Sequence, residues 1–203
     1  MAKIGRRNFL KKTSLSAASL YMASTVACAT DKENQPSGGS YMGDFAAPTL
    51  ETVRIAIIGV GARGSGHASQ LASIEGTEIV AIADVYEDLV ARSIAKCIEV
   101  GKGRHQNIAP YSGGDHEWKK MLAEVKPDAV FIATNWGNHA PMAIETMKQG
   151  AHAFVEVPIA VTLQEMWDIV DTSEQTQKHC MMMENVNYGR EELLYLNLCR
   201  QGK

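Results

Sequence analysis

Cysteine is scarce and scattered in this sequence. Cys28, Cys97, Cys180 and Cys199 are the only four in 203 residues, with no C-x-x-C pair and no metal-ligand spacing, so no metal site is expected. Cys97 and Cys180 lie on apolar faces and read as core residues. Positive charge is also thin. The net charge is −3 and no basic block occurs beyond the first 12 residues, which leaves nucleic-acid binding without electrostatic support. There is no internal repeat and no transmembrane span. The rest is an ordinary globular composition, 45% hydrophobic and 21% charged, in a chain long enough for one good domain and something extra.

The sequence is organised around residues 53–64, Val-Arg-Ile-Ala-Ile-Ile-Gly-Val-Gly-Ala-Arg-Gly. Residues 53–58 are short, apolar and mostly β-branched, the pattern of a central parallel strand. Gly59-Val60-Gly61-Ala62-Arg63-Gly64 then fits G-x-G-x-x-G. Gly59 allows the turn off the strand, Gly61 lets a pyrophosphate approach the backbone, and Gly64 lets the next helix pack closely. The helix N-terminus offers free N–H groups and a positive dipole end to phosphates. A second buried-strand pattern, 78–84, ends in Asp84, 20 residues after Gly64. A carboxylate there accepts hydrogen bonds from both hydroxyls of an adenosine ribose and repels a 2′-phosphate. The cofactor expected is therefore NAD. Arg63 is the one nearby cation, suited to stacking on the adenine or pairing with a phosphate.

Residues 1–30 read as a targeting segment. Gly5-Arg6-Arg7-Asn8-Phe9-Leu10-Lys11 looks like a twin-arginine export signal, followed by a weakly apolar stretch over 15–27 that is too short and polar to span a membrane. Two ends are open. Ala27-Cys28-Ala29 fits signal-peptidase cleavage. Thr25-Val26-Ala27-Cys28 resembles a lipobox with an atypical first residue, and lipidation of Cys28 would anchor the chain. The polar stretch 30–34 directly after the cysteine favours the second. Either way the protein is expected to be exported, periplasmic or lipid-anchored at the cell envelope. Residues 31–51 read as a flexible linker, and 52–203 as the nucleotide-binding domain.

Strand and helix patterns alternate through that domain. Helices are predicted over 62–73, 86–100, from a Ser112-x-x-Asp115 capping box to 125, over 138–149, after a Thr162-x-x-Glu165 capping box, and from Glu191 onward without a stop signal. Strands are predicted over 108–111, 128–134, 151–155 and 179–183. Leu163, Met166, Trp167 and Val170 are taken as an inner helix face. Met181-Met182-Met183 is taken as packing in a buried strand. The fold class is α/β, a doubly wound parallel sheet of Rossmann type.

In such a sheet ligands lie at the carboxyl ends of the strands. The residues just past those ends are polar and aromatic: Asn135-Trp136-Gly137-Asn138-His139, then Glu156-Val157-Pro158, then Glu184-Asn185-Val186-Asn187-Tyr188. Local roles are open for some, since Asn138 suits a helix N-cap and Pro158 a turn. These segments, with the glycine fingerprint and Asp84, resemble the N-terminal half of the Gfo/Idh/MocA oxidoreductase family. Most dehydrogenases of that family carry Glu-Lys-Pro at 156–158. The lysine lies by the nicotinamide and assists proton transfer, which valine does not do. Glu-Val at 156–157, Trp-x-x-His at 136–139 and Glu-Asn-Val-x-Tyr at 184–188 look like glycoside hydrolase family 109, the NAD-dependent α-N-acetylgalactosaminidases.

The resemblance implies cofactor contacts at Ala62 and Arg63 by the pyrophosphate, Asp84 at the ribose, and Asn135, Trp136, Asn138 and His139 on the nicotinamide side. Glu156, Val157 and Asn185 complete the pocket, and Tyr188 is a candidate substrate contact or acid. It also implies a glycoside substrate ending in N-acetylgalactosamine, the twin-arginine machinery as a partner, and a cycle of oxidation, elimination, water addition and re-reduction. A homo-oligomer stays open. The family's substrate domain and principal base are expected beyond Lys203, so no turnover is expected from these residues alone. Two alternatives are an exported sugar oxidoreductase and a non-catalytic nucleotide-binding module.

Overall fold

The computed structural model describes residues 40–186 and 189–203. The export signal, Cys28, the first part of the expected linker and Tyr188 lie outside the described residues. Six strands form one parallel sheet: β1 Val53–Ile58, β2 Thr77–Ala83, β3 Ala109–Tyr111, β4 Ala129–Ile132, β5 His152–Glu156 and β6 Cys180–Met183. Their order is β3-β2-β1-β4-β5-β6. The helices are α1 Ala62–Ser73, α2 Glu87–Val100, α3 Glu117–Val125, α4 Trp136–Lys148, α5 Leu163–Thr176 and α6 Arg190–Arg200. This is the doubly wound arrangement the alternation predicted. None of the described helices is long and apolar enough to cross a membrane.

Side chains alternate between the two faces of each strand, and the core divides accordingly. Ala56, Ile58, Val130, Ile132, Ala153 and Val155 meet Met121 and Leu122 of α3 and Ala143 and Met147 of α4. Ile55, Ile57, Ile79 and Ile82 meet Ala68 and Leu71 of α1 and Val90 and Cys97 of α2. Small residues in the first layer let two helices approach the strands, while isoleucines fill the second. Cys97 is buried in the core, while Cys180 on the edge strand is partly buried against it; burial pushes their thiols up to about 11 and about 12.

Several local expectations are corrected. Helix α5 buries Ile169 and Thr172, whereas Leu163, Met166, Trp167 and Val170 are exposed. The reason is position: α5 lies against α4 at the end of the sheet, so most of its circumference faces outward. For the same reason Met181 and Met182 are exposed, because β6 is the edge strand and not an interior one. The Ser112 capping box does not form. Gly113 continues the loop at φ +91°, and α3 begins one turn later behind His116. Helix α4 starts behind Asn135, so Asn138 lies within it. The Thr162 box does form, with Glu165 N–H donating to Thr162 Oγ1 and Thr162 N–H to Glu165 Oε2. Helix α6 stops at Arg200, capped at Gln201.

At the opposite end of the strands the stretch before β1 touches the domain. A short 3-10 turn, Met42–Asp44, precedes Phe45, whose ring lies 5.0 Å from that of His179. Ser40 N–H donates to the Glu174 carbonyl, and Gln177 Nε2 donates to the Ser40 carbonyl.

Candidate cofactor site

Gly59 leaves β1 at φ +86°, and a β-carbon there would sit 2.6 Å from the Ala133 carbonyl oxygen. Only glycine takes that turn against β4 without strain. A β-carbon on Gly64 would fall on the Gly59 carbonyl oxygen, so α1 packs directly on the turn it leaves. Gly61 differs, since a β-carbon there meets nothing within 4 Å. Its bareness serves open space and not the fold. Gly61 is the N-cap of α1 and supplies no side-chain cap, so the first N–H groups of that helix await an acceptor.

Asp84 stands directly after β2. Its Oδ2 accepts from Val60 N–H at 2.7 Å and its Oδ1 from Tyr86 N–H at 3.1 Å. The carboxylate therefore fixes the glycine turn and retains acceptor capacity, since two oxygens offer about four lone-pair sites. A cleft of about 720 Å³ opens between these groups and the start of α4, lined among others by Gly59, Gly61, Asp84, Thr134, Asn135 and Asn138. Five residues singled out from the sequence are thus brought to one concavity on the carboxyl edge of the sheet. The β3–α3 loop lines it too, at Asp115 and His116. That contribution was missed, although its place after a strand on the same edge marks it.

Other predicted residues fall around this cleft. Ala62 is exposed on the first turn of α1, and Trp136 is 65% exposed at the start of α4. His139 is buried, with Nδ1 2.8 Å from the Pro158 carbonyl and Nε2 3.1 Å from the Thr134 carbonyl. Its ring ties α4 to the turns after β4 and β5.

Arg63, Glu156, Val157 and Asn185 form a second group. Glu156 Oε1 accepts from Arg63 Nε at 2.9 Å and from His67 Nε2 at 2.7 Å, while Oε2 accepts from Val157 N–H at 3.1 Å. The Arg63 Nε–H is thus taken by a carboxylate. With the Asn185 amide oxygen turned toward the guanidinium, it accepts from Arg63 Nη2 at 2.6 Å, and its nitrogen donates to Glu184 Oε1 at 3.1 Å. Burial pulls the Glu156 carboxyl up. The hydrogen bonds from His67, Arg63 and Val157, with the charge of Arg63, outweigh this and hold it below its ordinary value. His67 was not anticipated. Its spacing of four residues from Arg63 on a helix is the signal that marks it.

The arrangement fits a dinucleotide. A bare backbone bend, an uncapped helix N-terminus and a carboxylate at the neighbouring strand end share one cleft, as diphosphate and ribose recognition requires.

The comparisons with known proteins agree. Residues 53–184 match the Gfo/Idh/MocA family, described as an oxidoreductase family with an NAD-binding Rossmann fold. A protein of Akkermansia muciniphila called glycosyl hydrolase family 109 protein 2 is 55% identical over 169 residues, 83% of this chain and 35% of that protein. An α-N-acetylgalactosaminidase of Shewanella oneidensis is 46% identical over 204 residues, all of this chain and 44% of that protein. The chain therefore spans less than half the length of these curated relatives. Among solved structures, scyllo-inositol dehydrogenase of Lactobacillus casei with NAD(H) and scyllo-inositol superposes with a TM-score of 0.64, at 21% identity, over 74% of this chain and 42% of that one. The WlbA dehydrogenase of Bordetella pertussis with NADH and UDP-GlcNAcA gives 0.61 at 20% identity, over 74% and 42%. At such identities the likeness concerns the fold alone.

Proposed function

The chain belongs to the Gfo/Idh/MocA oxidoreductase family as an NAD-binding Rossmann domain, and from that premise we propose that the full-length protein is an NAD-dependent glycosidase removing terminal α-linked N-acetylgalactosamine. The observation that carries the reading is Val157. Where the family's dehydrogenases place a lysine that assists proton transfer, this sequence places an aliphatic side chain between Glu156 and Pro158. A side chain with no ionisable group cannot take the hydroxyl proton while the hydride leaves the carbon that bears it. The names and identities of the Akkermansia and Shewanella relatives support the same reading.

When bound, NAD supplies reversible hydride transfer, which lets a sugar be oxidised at carbon 3, lose its aglycone by elimination across carbons 1 and 2, take up water and be reduced again. Direct displacement by two carboxylates would need no such cofactor. The residues of this chain hold the dinucleotide. Gly61 and the α1 N-terminus receive the diphosphate, Asp84 the adenosine ribose, and Asn135, Trp136 and Asn138 flank the nicotinamide side with Glu156, Val157 and Asn185. His139 holds the α4 start in place. Tyr188, outside the described residues, is the candidate for a substrate contact or acid.

The second reading is an exported sugar oxidoreductase, favoured by the family's general activity. One experiment separates the two. Full-length protein is incubated with an aryl α-N-acetylgalactosaminide while aglycone release and net NADH are followed. Release without NADH accumulation is expected; NADH accumulating without release assigns the oxidoreductase instead.

We propose further that the protein leaves the cytoplasm by the twin-arginine route, with lipid attachment at Cys28. A coenzyme regenerated in every cycle stays bound, and a route that carries folded proteins can carry it along. This support comes from Arg6-Arg7 and from the cycle, two unrelated features of the protein.

A further inference from the structure

The ionic group around Glu156 assigns a role to a residue outside the expected cofactor contacts. Arg63 and His67 stand four apart on α1 and leave the same helix face. Both reach Glu156 Oε1, 93 and 89 residues away in the chain. The three differ in exposure. The Glu156 side chain is 9% exposed and that of His67 22%, but that of Arg63 is 55% exposed. Since an ionised carboxylate only accepts hydrogen bonds, His67 Nε2 carries the proton it shares with Glu156. From Glu156 the contacts continue through Arg63 to Asn185 and Glu184. One chain of bonds thus joins α1 to the ends of β5 and β6.

The parts are unequal as anchors. Arg63 is long and half in solvent, and holding it in one geometry costs side-chain entropy. His67 is short, stiff and better buried. A carboxylate this deep depends on each partner, because losing one leaves an unsatisfied charge. With His67 in place Glu156 has a fixed direction, and Arg63 has a fixed acceptor to close on.

We propose that His67 is a positioning residue of the dinucleotide site: it orients Glu156, Glu156 orients Arg63, and Arg63 holds the segment at Asn185, so that His67 sets cofactor affinity through these partners. This rests on the reading of Arg63, Glu156 and Asn185 as cofactor contacts.

The test uses the full chain and NAD+ itself, with dissociation constants from titration calorimetry and melting temperatures of the free protein. His67→Gln keeps an N–H near the position of Nε2, and His67→Leu removes it. His67→Leu is expected to weaken NAD+ binding about tenfold, the loss of one hydrogen bond to a charged group. His67→Gln should stay within about threefold of the unsubstituted protein. Glu156→Gln should weaken binding too, and in that background His67→Leu should add little, because both act through one carboxylate. Equal losses for Gln and Leu, full additivity with Glu156→Gln, or unchanged affinity in a folded His67→Leu protein each overturn the proposal. Should the Leu variant not fold, His67→Asn, whose shorter amide stops short of Glu156, takes its place with the same expectations. If the unsubstituted chain binds no NAD+, the cofactor reading itself fails, and this proposal with it.

Discussion

Single residues around the first turn divide by what a β-carbon would meet. At Gly64 it meets the Gly59 carbonyl; at Gly61 it meets open space. The two glycines of one motif therefore serve different ends, and substitution separates them. Gly64→Ala should destabilise the free protein by about 1–3 kcal/mol, the ordinary cost of overpacking. Gly61→Ala should leave the free protein's urea midpoint unchanged and weaken NAD+ binding by about tenfold or more, because the new methyl occupies the approach of the diphosphate. Equal destabilisation by both would contradict the assignment. These glycines and Asp84 were legible because their spacing follows from turn geometry and reach along one strand pair. His67 was not, because its partner Glu156 lies 89 residues away; the sequence offers only its spacing of four from Arg63, not the carboxylate that both reach.

Among elements, the starts of β5 and β6 carry a pH response. His152 Nδ1 accepts from His179 N–H at 2.9 Å, and the two rings lie 5.3 Å apart. Burial, then the charges of Lys178 and His179, push the His152 imidazole below its ordinary value of 6.5, with Asp128 opposing. The unfolded chain thus takes up this proton first. The stability contributed is complete above pH 6.5 and is lost as the pH falls from there through the lowered folded value. His152→Asn keeps an acceptor near the place of Nδ1 and carries no titrating ring. Its urea midpoint should vary less below pH 6.5 than that of the unsubstituted protein; identical profiles would remove His152 as the source. The elements themselves were largely legible from apolar periodicity. Boundaries failed where a loop glycine took a left-handed turn, as at Gly113, and the α5 face failed because periodicity marks an apolar stripe without saying what covers it. Leu163 and Trp167 form such a stripe, and in the described residues it faces outward.

For the molecule as a whole, alternation of strands and helices announced the sheet but not which strand stands at its rim. The exposure of Met181 and Met182 follows from that placement. Export also belongs to this scale, since the machinery inferred from Arg6-Arg7 would move the protein folded. Replacing both arginines by lysine in the full-length protein should keep it in the cytoplasm, as fractionation would read; undiminished export would refute the route. The clasp between Arg63 and Glu156 has one more consequence. The hydrogen bond from Val60 to Asp84 spans 24 residues, whereas the clasp spans 93. During synthesis the glycine bend and its aspartate emerge from the ribosome long before Arg63 has an acceptor. Both partners of the bend–aspartate bond are therefore present early in synthesis, whereas both partners of the clasp exist only once translation has passed Glu156.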